Sequence, residues 1–157
     1  MDPPLGDHRD RQVAGEPGDQ VEVRQTIEQG LAGRIVAAFD EPLRRELLDL
    51  ADQMAERAAR GEPFIEPDRE FHLLLMEPLG NELITQLTAA FWDVHAIVAR
   101  ALDASPESVR ETVEAHHAIV TAAAARDVAA FTRAVEAHYA PVRRRLQEGP
   151  GRRDPVA

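Results

Sequence analysis

The chain has 157 residues and contains no cysteine and no lysine. The lack of cysteine excludes disulfide scaffolds, thiolate zinc sites and cysteine nucleophiles. Aromatic residues make up only 4% of the chain, and alanine is abundant, which favours helices over a β-sandwich or barrel. The net charge is -10, and such a surface repels a phosphate backbone. We therefore expect no direct nucleic-acid binding by this chain.

The hydropathy pattern also argues against a membrane partner, because no segment approaches the roughly 20 uncharged apolar residues of a bilayer span. The first 20 residues are rich in proline, glycine and aspartate and lack the apolar stretch of a secretory signal. We therefore expect a cytoplasmic protein. We interpret residues 1–20 and 148–157 as a disordered leader and tail around one domain at 21–147.

The central pattern predicts an all-α protein, an antiparallel bundle of about six helices. Asp40, Asn81 and Asp127 are expected N-caps, and Ser105-Pro106 is a strong helix start. Loops as short as these join antiparallel neighbours. The helices are expected at about 21–39, 40–61, 68–76, 81–102, 105–126 and 127–147.

Apolar stripes with steps of three and four run along the last three helices. The stripe of the fourth consists of Ile84, Leu87, Phe91, Val94 and Val98. The other two stripes are each interrupted once by a histidine. His116 interrupts Val109, Val113 and Val120, and His138 interrupts Val128, Phe131, Val135 and Val142.

The two interrupting histidines are expected to meet inside the bundle. His116 and His138 each lie 11 residues from Asp127, which places both about 16 Å from the turn at ~1.5 Å per residue. Leucine and valine side chains offer no hydrogen bonds, so two imidazoles in an apolar interior would lack partners. Single core histidines are usually only hydrogen-bonded, but two at one level indicate a metal ion.

A third helix offers two more ligands. Asp68 and His72 are four residues apart and share one helix face, and Phe71 and Leu75 on the same side direct that face inward. The resulting set of three histidines and one carboxylate suits a divalent transition metal (Zn, Ni, Mn or Fe) better than Ca or Mg. Four ligands either close a tetrahedral site or leave two octahedral positions open.

Other polar residues have two interpretations each. Arg24 and Glu28 most simply form a surface i,i+4 pair, but an inward Arg24 could bind a ligand carboxylate bidentately. His95 lies near a stripe and is expected in the core, in contact with a metal ligand, or in a pocket. His117 is expected either at the surface or in contact with a metal ligand. The arginines at 143–145 most simply form a solvated last turn, with phosphate binding as the alternative.

The arrangement of these residues resembles the FadR C-terminal ligand-binding (FCD) domain of GntR-type bacterial regulators. The opening VRQTIEQGLAGRIVAA also resembles the family's first helix, and the likeness covers about residues 21–147. The motifs that carry it, in order, are Asp68-x-x-x-His72, Gly80-Asn81, His116-x-x-Ile119, Asp127 and His138.

The resemblance implies a helical bundle around a metal held by four residues, namely Asp68, His72, His116 and His138. It also implies a homodimer and a small organic acid effector beside the metal, for which Arg24, His95 and Asn81 are the candidate contacts. Effector binding in the family alters the affinity of a dimer for DNA, which is bound by a separate winged helix-turn-helix domain. Only about 20 residues precede the first predicted helix here, so we expect this chain to be either the sensor part of a longer regulator or a relative that works without that domain.

One departure affects the site. The family usually has glutamate directly before the third ligand, whereas Ala115 precedes His116 and the acid is Glu114. Two hypotheses follow, a metal-dependent sensor of a small organic acid and a standalone metal-dependent enzyme. The enzyme would use the same site with an open coordination position and take His95 or Glu114 as a base.

Overall fold

The computed structural model describes residues 16–101 and 104–149. These residues form helices and no strand, which confirms the all-α prediction. The helices are α1 Pro17–Gly30, α2 Ala32–Ala38, α3 Glu41–Ala59, α4 Ile65–Met76, α5 Glu82–Ala101, α6 Pro106–Ala124 and α7 Val128–Glu148, with a 3-10 turn at Glu77–Leu79.

Side-chain caps fix four helix starts where the sequence predicts them. Each cap is an oxygen that accepts a hydrogen bond from the backbone N–H three residues later, at 2.9–3.3 Å. Such a bond satisfies one of the orphan donors of the first turn and contributes about 1 kcal/mol. The capping residues are Asp40, Asn81, Ser105 and Asp127.

The N-terminal part differs from the prediction in two ways. The first helix begins at Pro17, so residues 17–20 are helical and do not belong to a disordered leader. Glu16 and Asp19 form a capping box there, with proline at the first helical position. The predicted single helix is also divided at Leu31 (φ -95°, ψ 0°), directly after the poor helix former Gly30. The remaining leader and tail, 1–15 and 150–157, and residues 102–103, lie outside the described residues.

The helices pack around one interior. Helices α6 and α7 form an antiparallel hairpin with the most extensive contact in the fold, α7 also packs on α1, and α3 packs on both α4 and α6. The core includes Leu47, Met54, Phe71, Ile119 and Phe131. Because α1, α4, α6 and α7 all face this interior, polar side chains from distant parts of the sequence meet there.

The buried face of helix α5 is shifted from the predicted stripe. Leu87, expected in the core, is 42% exposed, whereas Trp92 is 1% exposed and Thr88 is also buried. The prediction is therefore wrong at Leu87, whereas the other four members of the stripe are half-buried. Trp92, which lies outside the stripe, packs its indole ring inward. The stripes of α6 and α7 hold except at Val128, which is exposed at the start of α7. No described helix is long and apolar enough to cross a bilayer.

Candidate metal centre and adjoining cavity

The four predicted ligands converge in the core. Helix α4 supplies Asp68 and His72, α6 supplies His116 and α7 supplies His138. One donor atom from each lies within 4.8 Å of the other three, and all four residues are buried. The spacing of the two histidines from Asp127 therefore does bring them to one level of the bundle.

The separations between these donor atoms suit a single small cation. The Nε2 atom of His138 lies 3.1 Å from His116 Nε2 and 3.3 Å from His72 Nε2. Asp68 Oδ1 lies 2.7 Å from His116 Nε2 and 3.4 Å from His72 Nε2. Donors bound at ~2.1 Å to one ion are about 3.0 Å apart at a right angle and about 3.4 Å apart at a tetrahedral angle. These four distances lie around this range, and Asp68 Oδ1 and His138 Nε2 are farther apart at 3.8 Å.

Hydrogen bonds on the far side of the rings orient two of the imidazoles. His72 Nδ1 donates to Glu28 Oε1 at 2.6 Å, and His116 Nδ1 donates to the Thr112 carbonyl at 2.7 Å. Because a carboxylate and a carbonyl only accept, each neutral ring carries its proton on Nδ1 and turns an Nε2 lone pair toward the centre. Lone pairs that face the Asp68 carboxylate repel it unless a proton or a cation lies between them. The residues present therefore fit a metal ion.

The electrostatics of the metal-free cluster single out one protonated ring. Burial lowers the pKa of His72, but the Glu28 and Asp68 carboxylates outweigh it and raise that pKa to about 9. Burial and the neighbouring His116 lower the pKa of His138 to about 3. Burial raises the pKa of both acids, yet the imidazoles hold that of Glu28 at about 2 and that of Asp68 well below its usual value. A divalent ion would thus displace a proton from His72.

A cavity of about 800 Å³ adjoins the cluster, within the size range of small-molecule sites. Asp68 and His138 form part of its inner wall. It extends to the end of the bundle where α3 ends and α6 begins, and there Ala59 and Pro106 line it. The donor cluster is therefore accessible to a molecule in the cavity.

Arg24 and Glu28 do not form a surface pair. Their exposures are 5% and 3%, so the simpler interpretation of this pair is wrong and Arg24 faces inward. Glu28 Oε1 also accepts from the Tyr139 hydroxyl at 2.8 Å. The Arg24 guanidinium carbon lies 4.2 Å from the Trp92 ring centroid and 5.1 Å from that of Tyr139. Its Nη2 atom is buried and has no hydrogen-bond partner among residues 16–101 and 104–149.

The other predicted contacts are divided between the cavity and the surface. His95 lines the cavity and packs edge-on against Trp92, and burial, with Arg24 nearby, lowers its pKa to about 4. Asn81 is exposed and acts as the cap of α5, and it does not line this cavity. The structure therefore does not bring Asn81 to the candidate effector site.

Two further residues lie at the edge of the site. Glu114 reaches the cavity rim, but its side chain is 69% exposed and faces Arg110 at 3.9 Å. It therefore does not approach the donor cluster as the base of an enzyme would. His117 lies outside the cluster and contacts Asp52 at 2.9 Å, in agreement with a position near the surface.

The sequence interpretation missed the supporting contacts of the site. Glu28, Tyr139 and the Thr112 carbonyl were not predicted, because their roles depend on which helices pack together. Arg145 was placed in a solvated turn, yet it is half-buried and lines the cavity. Its position one helical turn after Val142, on the buried stripe of α7, was the available signal.

Comparison with known proteins identifies the class to which this bundle belongs. The family model of the FCD domain matches residues 19–141, so the chain belongs to the FCD domain family of GntR-type regulators. It is 51% identical over 107 residues to a protein of Micromonospora viridifaciens named as the transcriptional regulatory protein NedR, and the match covers 68% of this chain and 77% of that protein.

A solved structure, Streptococcus agalactiae GntR, has the same fold. It superposes with a TM-score of 0.71 over 90% of this chain at 22% identity. The matched part makes up 64% of that solved chain, so this chain spans less than two thirds of its length. At that level of identity the likeness supports the fold alone.

Proposed function

We propose that this chain is the effector-sensing domain of a transcription regulator and binds a small organic acid beside a divalent transition metal. The metal ligands are Asp68, His72, His116 and His138. The observation that carries the proposal is a single cavity lined by two members of this donor cluster, Asp68 and His138, and by the buried Arg24, whose Nη2 atom has no hydrogen-bond partner among the described residues. The relative named as a transcriptional regulatory protein supports the regulatory role.

Arg24 is the proposed anchor for the acid's carboxylate. Its guanidinium lies near the rings of Trp92 and Tyr139, which restrict its orientation, and its free Nη2 provides a donor for a charge-assisted bond. When bound, the metal supplies a Lewis-acid contact to the ligand. His95, neutral at physiological pH, offers one further hydrogen bond.

The regulatory output is proposed to pass through a homodimer in the cytoplasm. An effector shifts such an equilibrium only if it binds the two states with different affinity. Helix α5 leaves a stripe of large apolar side chains exposed on one face, and stripes of this kind often mark protein interfaces. Its members are Leu83, Leu87 and Ile97. DNA contact is assigned to another domain of the regulator, because this chain carries a net charge of -10.

Native mass spectrometry of gently purified protein tests these points together. We expect one metal ion per chain, a co-purified organic acid and a subunit mass of two chains. Arg24→Gln should lose the acid and keep the metal, whereas the exposed control Arg34→Gln should keep both. Equal acid retention by wild type and Arg24→Gln would contradict the proposed anchor. Catalytic consumption of the acid by metal-loaded protein would instead favour the enzyme hypothesis.

A further inference from the structure

A second arginine lines the same cavity and has an unpaired donor atom. Arg145 lines the cavity together with Arg24, and its Nε atom is buried with no hydrogen-bond partner in the part of the chain that the structure describes. Burial lowers the pKa of Arg145, and the glutamates that line a second pocket with it, Glu107, Glu111 and Glu148, form no ion pair with it. The neighbouring Arg144 is different, since it is exposed and pairs with Glu111 at 2.5 Å. Arg145 is therefore set apart within the arginine run.

The position of Arg145 relates it to the metal cluster. It follows His138 by seven residues on α7, which is two turns or about 10 Å along the axis and the same helix face. Helical side chains lean toward the N-terminus, so the guanidinium leans back toward the cluster. A ligand that is bound to the metal by one end would therefore contact Arg145 with a group several bonds away from that end.

The net positive charge around the cavity is larger than a singly charged ligand would neutralise. Two buried carboxylates, Asp68 and Glu28, oppose a divalent ion and the two guanidiniums of Arg24 and Arg145. With the histidines neutral, two positive charges remain, one of them on the half-buried Arg145, and charge withdrawn from water without compensation is costly. The acidic side chains at the rim do not cancel them, because each faces an arginine of its own. These pairs are Glu62 with Arg60 and Glu114 with Arg110.

We propose that Arg145 is a second anion anchor and that the cavity selects an organic acid with two anionic groups. One group binds at the metal and Arg24, and the other binds at Arg145. This assignment rests on the proposed function and specifies its ligand class. If Arg145 is left out, the same sum of charges leaves one positive charge, which a monoanionic ligand would neutralise.

Calorimetric titration of the zinc-loaded full chain tests the assignment with two series of probes. The dicarboxylates are succinate, glutarate, adipate and pimelate, and the monocarboxylates have the same chain lengths. We expect the best dicarboxylate to bind at least about tenfold more tightly than its monocarboxylate, as one charge-assisted contact allows. Arg145→Gln should remove this advantage and leave monocarboxylate affinity unchanged, and the control Arg144→Gln should alter neither.

The outcomes separate the two levels of the proposal. If both series bind equally to wild type, or if Arg145→Gln retains the full dicarboxylate advantage, the second anchor is overturned. The proposed function then stands, provided that Arg24→Gln weakens both series. If no acid binds to zinc-loaded wild type at millimolar concentration, the proposed function itself fails and the second anchor fails with it.

Discussion

Glu28→Gln is the most informative perturbation of the contacts that support the metal site. Glu28 Oε1 accepts from His72 Nδ1 at 2.6 Å and from the Tyr139 hydroxyl at 2.8 Å. The substitution keeps the shape of the side chain and removes its charge. The Glu28 Oε2 atom has no described hydrogen-bond partner, so the new amide group leaves a donor unpaired there. That penalty applies with and without metal and therefore cancels from metal affinity.

The remaining effect acts through His72. Loss of a carboxylate that orients a ligating histidine typically weakens metal binding 10–100-fold, about 1.4–2.7 kcal/mol. An opposite effect on metal affinity operates at neutral pH, where a proton on His72 competes with the metal. Glu28 helps to raise the pKa of His72 to about 9, so its loss weakens this competition. The affinity loss should therefore be largest near pH 9 and smaller at pH 7.

Competition with a zinc-buffering chelator at both pH values measures this loss. The matched control is Glu114→Gln, whose parent side chain is exposed and which should bind zinc as wild type does. A Glu28→Gln variant that binds zinc within twofold of wild type at pH 9 would refute the claim that Glu28 orients a ligand.

Three further predictions concern protonation, assembly and packing. At pH 7.5 metal binding should release about one proton, because the pKa of His72 is about 9 in the metal-free site. Calorimetry in two buffers of different ionisation enthalpy measures the number of protons released. The same number at pH 10 would contradict the assignment of the proton to His72. Ile97→Asp should convert the proposed dimer to monomer in analytical ultracentrifugation, since Ile97 is 70% exposed, and an unchanged dimer would exclude this face. Leu47→Ala, at a fully buried site, should lower the free energy of unfolding by about 2–5 kcal/mol. Leu83→Ala, at an exposed site, should lower it by less than about 0.5 kcal/mol. Equal losses of stability in urea unfolding curves would contradict the assigned core.

The features that the sequence predicted well depend on local rules or on a broken pattern. Caps such as Asp40 and Asp127 act on backbone groups three residues away, so no tertiary information is needed. His116 and His138 were recognisable because each interrupts an apolar stripe at a matched distance from one turn. Helix geometry then brings the two rings to one level.

The features that it missed depend on which helices become neighbours. An i,i+4 pair such as Arg24 and Glu28 has the same spacing on a surface as in a core, and only the packing of α1 on α7 buries it. Helix α5 offered two apolar faces, one containing Leu87 and one containing Trp92. The face with the indole ring packs inward against His72 and Arg24, which periodicity alone does not decide.

The metal content of the chain tests the central claim most directly. Protein purified without chelator, incubated with Zn, Ni or Mn and dialysed, should retain about one equivalent of metal by elemental analysis. His116→Ala should lose it, whereas His117→Ala, at the adjacent position outside the cluster, should retain it. Less than about a tenth of an equivalent in wild type for all three metals, or equal retention by His116→Ala, would contradict a metal held by these four side chains.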